Sequence, residues 1–280
     1  MVKSLAFLGL AAATVPVAGY ALSLPLCLRY EKVAFAGLPT HLRGLKILHI
    51  ADLHCRYPHK VHMDIWPHIL ALDFDMVVLT GDVILGDAAQ LRPHLEGLSQ
   101  MVKKAPVFYV EGNHEKGCRK EISRLFGSIG IVSLYNHRGD FAVGARSKSL
   151  SPVVSVAGFR DWYISKERNF EDLNPIFADM ANSGSFHIVL SHQPQILDLL
   201  CKGCPTSALV LAGHTHGGQV RLPFMPTLFA PGQGILPKYG DGWYQSGNKK
   251  MFVSRGIGAT RFPLRMFNPS EVALIELQRD

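Results

Sequence analysis

Apolar runs alternating with polar, glycine-punctuated stretches set the pattern of this chain. The runs Leu45 to Ile50, Met76 to Leu79, Val107 to Val110, Val153 to Ala157, Ile188 to Leu190, Leu209 to Leu211, Met251 to Val253 and Val272 to Leu277 are short and rich in branched side chains. Such runs read as strands buried in a sheet. Trp66 to Leu72, Gln90 to Lys103, Arg119 to Ile129 and Phe170 to Met180 read as helices between them, so the chain is predicted to be α/β. The strands run into Gly, Asp, Asn or His, which puts polar chemistry at strand ends, where α/β sheets gather their ligand sites.

The N-terminus breaks this pattern. Ser4 to Leu28 holds no charged residue and is rich in Leu, Ala and Val. An N-terminal apolar helix of that length would cross a bilayer, with Pro16, Gly19 and Pro25 as weak points. A cleaved signal is the alternative, with Lys3 as a minimal basic start and Ala21-Leu22-Ser23 as a small-residue cleavage site. The length of the run favours an uncleaved anchor. Its orientation is open, because Lys3 and the amino terminus are balanced by Arg29 and Lys32. The expected organisation is an anchor or signal segment over 1–28, a connector over 29–44 and one large domain over 45–280.

Composition narrows the classes. With 48% hydrophobic and 18% charged residues, extended disorder is excluded. A net charge of +7 favours an anionic partner: nucleic acid, an acidic membrane surface or a phosphorylated substrate. No dense Lys/Arg run with interleaved aromatics occurs, so nucleic acid is not the expected partner. Cys201 and Cys204 have redox or zinc spacing but no second matching pair, and are read as ordinary thiols.

The polar residues at the strand ends form a candidate metal site. Asp52 and His54 lie two apart on an extended chain, so carboxylate and imidazole can converge on one cation. In Gly81-Asp82 the glycine permits a tight backbone passage and the carboxylate can bridge two ions. Gly112-Asn113-His114-Glu115 offers the Asn113 carbonyl oxygen as a neutral ligand and His114 as an acid or base. His192 and Gly213-His214-Thr215-His216 complete the set. This mixture of oxygen and nitrogen donors suits two divalent ions, manganese, iron or zinc, and disfavours magnesium. Each fragment alone is as readily a turn or cap as a ligand; their order, each after an apolar strand, carries the reading. His41, His49, His59, His62, His68, His94, His137 and His187 lack that context and are read as surface or satisfied core residues.

Taken together, Asp52-x-His54, Gly81-Asp82, Gly112-Asn113-His114-Glu115, His192 and Gly213-His214-x-His216 resemble the ordered motifs of the calcineurin-like metallophosphoesterase superfamily. The flanks Gly44 to Ile50, Gly217-Gly218-Gln219 and Ser254 to Gly258 look similar to the membrane-anchored bacterial YaeI-like and YkuE-like phosphodiesterases, although no twin-arginine pair precedes the apolar N-terminus. The resemblance implies a four-layer sandwich of two mixed β-sheets flanked by helices, with 45–280 as the catalytic domain. It assigns Asp52, His54 and His216 to one metal, Asn113, His192 and His214 to the other, Asp82 to both, and His114 to catalysis as an acid. It further implies a phosphoesterase, with diesters favoured, on a single anchor in a bacterial inner membrane. The substrate would be a lipid such as UDP-diacylglucosamine, or a wall-linked or soluble phosphoester. A nuclease or nucleotide phosphodiesterase, and a non-catalytic metal-binding protein on the same fold, are the alternatives.

Two more segments stand out. Arg160 and Asp161 are read as a surface turn after a strand, with orientation of a substrate phosphate or of a metal ligand as the alternative. The proline-broken stretch Val220 to Pro231 begins beside the last metal motif. Its Phe224, Met225, Leu228 and Phe229 would line an acyl-chain groove or dip into the bilayer next to the site, with Arg221 meeting a headgroup phosphate, or else pack as core.

Overall fold

The computed structural model describes residues 23, 25–55, 65–143, 153–161, 173–222, 225–258 and 265–280. One six-stranded sheet is built from β1 (Leu26–Phe35), β2 (Lys46–Ile50), β3 (Met76–Thr80), β4 (Val107–Val110), β5 (Val132–Ser133) and β14 (Ser270–Arg279), in the order β1-β14-β2-β3-β4-β5. The other holds β6 (His137–Ala142), β7 (Val153–Phe159), β8 (His187–Ser191), β9 (Ala208–Ala212), β12 (Gly242–Ser246) and β13 (Lys249–Val253), in the order β12-β13-β9-β8-β7-β6. A two-stranded ribbon pairs β10 (Phe229–Ala230) with β11 (Gly234–Ile235). β2 to β5 run parallel, as do β7, β8, β9 and β13, whereas β14 opposes β2, β6 opposes β7 and β12 opposes β13. Both sheets are therefore mixed.

Alternation along each strand decides what its two faces meet. Ile47, Met76, Val78, Phe108 and Val110 of the first sheet pack against Val156, Ile188, Leu190, Leu209, Leu211 and Phe252 of the second. The opposite positions, Leu48, Ile50, Val77, Leu79, Val107 and Tyr109, pack under α1 (Ile65–Leu70), α2 (Leu95–Lys104) and α3 (Arg119–Ile129). Val189, Val210, Met251 and Val253 lie beneath α4 (Asn174–Ser183) and α5 (Ile196–Gly203). The layers run helix, sheet, sheet, helix. The predicted helix from Gln90 begins instead as a tight 3-10 segment, Ala88–His94, and becomes α-helical only at Leu95. Pro93 lies inside that segment, and its missing N–H and fixed φ disfavour a continuous α-helix there.

Residues 29–44, expected as a connector, instead contribute β1, which pairs parallel with β14 along its whole length from Leu26 to Phe35. It is an edge strand whose Val33 and Phe35 are buried while Leu28 and Tyr30 are exposed, so charged residues between them hide it from a search for apolar runs. Leu26 to Leu28 thereby leave the expected anchor. The remainder of the expected N-terminal apolar helix lies outside the described residues, save Ser23 and Pro25. Among the described residues no helix is long and apolar enough to cross a membrane.

Candidate active site

Asp52 and His54 follow β2, Asp82 follows β3, Asn113 and His114 follow β4, His192 follows β8, and His214 and His216 follow β9. All therefore stand beyond the C-terminal ends of parallel strands, drawn from both sheets. The segments stay paired past those ends: the N–H of Asp52 donates to Gly81 O (3.1 Å), that of His54 to Asp82 O (2.9 Å), and that of Gly213 to His192 O (3.1 Å). Asp52 and His54 converge, but not through extended backbone. Asp52 (φ 48°), His54 (φ 43°), Asp82 (φ 50°), His214 (φ 72°) and His216 (φ 51°) are all left-handed. For non-glycine residues each such conformation costs on the order of 1–3 kcal/mol and persists only where the surroundings impose it. Glycine allows the close approach between these turns. A Cβ on Gly213 would stand 2.4 Å from Asp52 Oδ2, and one on Gly81 (φ +86°) would stand 2.6 Å from Gly112 N.

The donor atoms meet at short range. His54 Nε2 lies 3.2 Å from His216 Nε2, and His216 Nε2 lies 3.5 Å from Asp52 Oδ1. In a second group His192 Nε2 lies 3.1 Å from Asn113 Oδ1 and 3.0 Å from His214 Nδ1. Asp82 Oδ2 sits between the groups, 3.8 Å from His54 Nε2 and 3.3 Å from His192 Nε2. Ligands bonded at about 2.1 Å around one tetrahedral ion stand roughly 3–3.5 Å apart, so this spacing fits shared cations. The tautomers fit as well. His192 Nδ1 is 2.9 Å from Thr80 O and His54 Nδ1 is 3.4 Å from Ile84 O, so a proton held there leaves each Nε2 lone pair turned inward.

Burial lowers His54 to about 4 and His214 to about 3, and holds His216 well below the usual imidazole range. Neutral imidazoles with free lone pairs result at these three, whereas at His192 burial is outweighed by the Asp82 and Asp52 charges and the imidazole ends well above its usual range, so a cation at its Nε2 would displace a proton. Burial also raises Asp52 to about 7. For Asp82 burial is outweighed by the neighbouring imidazoles, His192 foremost, and the carboxyl ends below its usual range. Packing these donors together is costly unless cations compensate, and the residues present fit a pair of divalent ions.

His114 differs from the others. Its N–H donates to Asp82 Oδ1 (3.0 Å), its Nε2 lies 3.8 Å from Asp82 Oδ2, and its ring stands edge-to-face with His54 at 5.2 Å. Its side chain is 24% exposed, whereas those of His54 and His192 are fully buried. It faces a cleft of ≈ 730 Å³, lined by Asp82, Asn113, His114, His214 and His216 together with the apolar Val220, Leu228, Phe229 and Pro231.

Several supporting residues carry no sequence signal of their role. The buried Glu115 carboxylate accepts N–H bonds from Asp82 (2.9 Å), Ile84 (3.2 Å) and Gly112 (2.6 Å), tying the turn after β3 to the turn after β4. Burial, then the Asp82 charge, push its carboxyl up to about 8. Glu115→Ala would orphan three buried donors at about 1–3 kcal/mol each. It is expected to lower unfolding free energy by roughly 3 kcal/mol or more, read by urea denaturation; an unchanged midpoint would show that these N–H groups find other partners. Arg265, buried behind His216, donates from Nε to Gly258 O (3.1 Å) and places its guanidinium 3.5 Å from His216 Nδ1. Asn268 Nδ2 donates to His216 O (2.6 Å).

Other expectations change. Asp161 is buried and accepts from Gln193 Nε2 (2.7 Å), while Arg160 pairs with Glu111 at 3.0 Å, so the pair is packed rather than a surface turn. It follows β7, whose end is flanked by the turns after β4 and β8. Arg221 is engaged by Asp241 instead of standing open to a headgroup. His49 is buried with Nε2 2.8 Å from Thr80 Oγ1, but its Nδ1 has no hydrogen-bond partner. Phe224, His59 and His62 lie outside the described residues. Cys201 and Cys204 are free thiols.

Comparison with known proteins places the chain in a family. Residues 45–218 match the calcineurin-like phosphoesterase family. The chain is 29% identical over 253 residues to the uncharacterized metallophosphoesterase YkuE of Bacillus subtilis (strain 168), covering 86% of this chain and 82% of that protein. It is 30% identical over 241 residues to the phosphodiesterase YaeI of Escherichia coli (strain K12), covering 83% and 82%. A transmembrane protein with metallophosphoesterase domain from Danio rerio is 25% identical, with 86% of this chain matched to 55% of that longer protein. On these matches the chain belongs to the calcineurin-like phosphoesterase family and is a hydrolase.

Proposed function

We propose that this chain is a dinuclear-metal-dependent phosphodiesterase, using manganese, zinc or iron, that acts at a membrane on a diester bearing an apolar group. The stretch before β1 would be its anchor, and the body from Leu26 onward its catalytic unit. The observation that supports the reading is Asp82 Oδ2 lying between the His54 and His192 donor groups, with His114 Nε2 at 3.8 Å beside it. Asp52, His54 and His216 would hold one cation, Asn113, His192 and His214 the other, and Asp82 both. Divalent cations supply Lewis acidity there, activating water and neutralising charge on the phosphoryl oxygens. The protein's own contribution is placement. Asp82 fixes the His114 backbone, and the His114 imidazole stands in the cleft where a leaving oxygen can take its proton. Among the described residues no Ser, Thr or Cys lines the cleft, in keeping with direct attack by water.

Chelated protein reloaded singly with Mn²⁺, Zn²⁺ or Fe²⁺ is expected to hydrolyse bis(p-nitrophenyl) phosphate faster than p-nitrophenyl phosphate. Metal uptake without turnover of either would overturn the enzymatic reading. The apolar wall supports a lipid-like substituent: Phe229→Ser is expected to raise KM about tenfold for an acylated diester while sparing the small chromogenic one. Equal losses on both substrates would assign Phe229 to packing.

A further inference from the structure

The most exposed large apolar side chains among the described residues are Ile235 (80%) and Leu236 (68%), and Phe229 (55%), Met225 (45%) and Leu222 (41%) belong to the same stretch of chain. Phe229 and Ile235 are direct partners across the antiparallel β10–β11 ribbon, so they project from one face of it. The Leu236 N–H closes the ribbon on Leu228 O at 2.8 Å. Apolar surface gathered in this way marks a contact surface rather than scattered exposure. Phe229 also lines the cleft, so patch and cleft are continuous.

What covers the patch follows from where the apolar N-terminal sequence joins the body. Ser23 Oγ accepts the Asn268 N–H (2.9 Å), Asn268 Nδ2 donates to His216 O (2.6 Å) and Gln219 O (3.2 Å), and the Arg221 N–H donates to Met266 O (3.0 Å). The chain before Ser23 therefore meets the fold beside the segment that leads into the patch. That stretch carries Lys3 as its one charged side chain, a composition with its own affinity for hydrocarbon. The net charge of +7 adds attraction to anionic headgroups.

We propose that the 225–236 ribbon docks on an anionic lipid bilayer, so that the cleft opens at the headgroup layer and the opposite strand ends point into water. This surface goes beyond the phosphodiesterase reading and does not depend on what the cleft cleaves. The test uses the full chain in vesicles of phosphatidylglycerol and phosphatidylethanolamine. A fluorophore is attached at Ile235→Cys or, as reference, at Val153→Cys, both with Cys27→Ser and Cys201→Ser to remove the exposed native thiols. Val153 is 52% exposed and opens β7, at the end of the sheet away from the site. The label at position 235 is expected to be quenched by nitroxide lipids and shielded from aqueous iodide about fivefold relative to position 153. Iodide quenching equal to that at position 153 would overturn the proposal. So would shielding from iodide without nitroxide quenching, because the N-terminal segment or a second copy of the chain would then be the cover. Neither readout involves turnover, so loss of the phosphodiesterase reading would leave the result standing.

Discussion

Asp82→Asn is expected to abolish hydrolysis and to lower bound metal, measured by elemental mass spectrometry on the purified protein. Two divalent ions sharing this site would repel by on the order of 10 kcal/mol even at an effective dielectric near that of a protein surface. The Asp82 carboxylate would offset part of that repulsion, and an amide would not. The amide would also turn either N–H hydrogens or a neutral oxygen towards His192 Nε2, which stands 3.3 Å from Oδ2. Asp82 Oδ1 meanwhile accepts the His114 N–H (3.0 Å), so the substitution would also disturb the residue proposed as proton donor. Fold stability is the control. The neighbouring imidazoles, His192 foremost, hold the Asp82 carboxyl below its usual range, so its charge stabilises the metal-free fold at neutral pH; the variant is expected to unfold at a lower temperature than the parent, and turnover is compared where both are folded. Near-normal turnover with both metals retained would remove Asp82 from the bridging position.

That site was legible in the sequence because each ligand fragment follows a continuous apolar run, and because glycines stand where two backbones must pass closely. The conformation that builds it was not. Asp52 and His54 aim their side chains together through two left-handed residues, and neighbouring loops impose that state. Gly258 N–H on Asp52 O (2.7 Å) and Asp82 O under the His54 N–H (2.9 Å) are contacts from distant parts of the chain. Glu115 could be seen as part of a motif, yet its three N–H partners belong to two different turns and appear only once β3 and β4 are side by side. Arg265 belongs to no motif at all. The α/β alternation was legible from runs and helices, whereas a strand buried on both faces does not say whether helix or sheet lies on each side. The two-sheet arrangement came from family resemblance. Edge strand β1 was missed because only one of its faces is buried.

His114→Ala is expected to lower kcat for a diester with an alkyl leaving group by about 10²-fold or more while leaving bound metal largely unchanged. His114 belongs to neither of the two sets of His and carboxylate donors, and its partly exposed side chain lines the cleft. Its removal therefore opens space at the rim and takes no ligand away. The size of the loss should follow the leaving group. An alkoxide needs a proton as the bond to phosphorus breaks, whereas p-nitrophenolate departs unaided, so the variant should be slowed far less on a p-nitrophenyl diester. A similar loss across leaving groups would mean that His114 stabilises phosphoryl charge and does not donate the proton. Loss of metal at unchanged stability would make His114 a ligand and remove it from the chemistry assigned here.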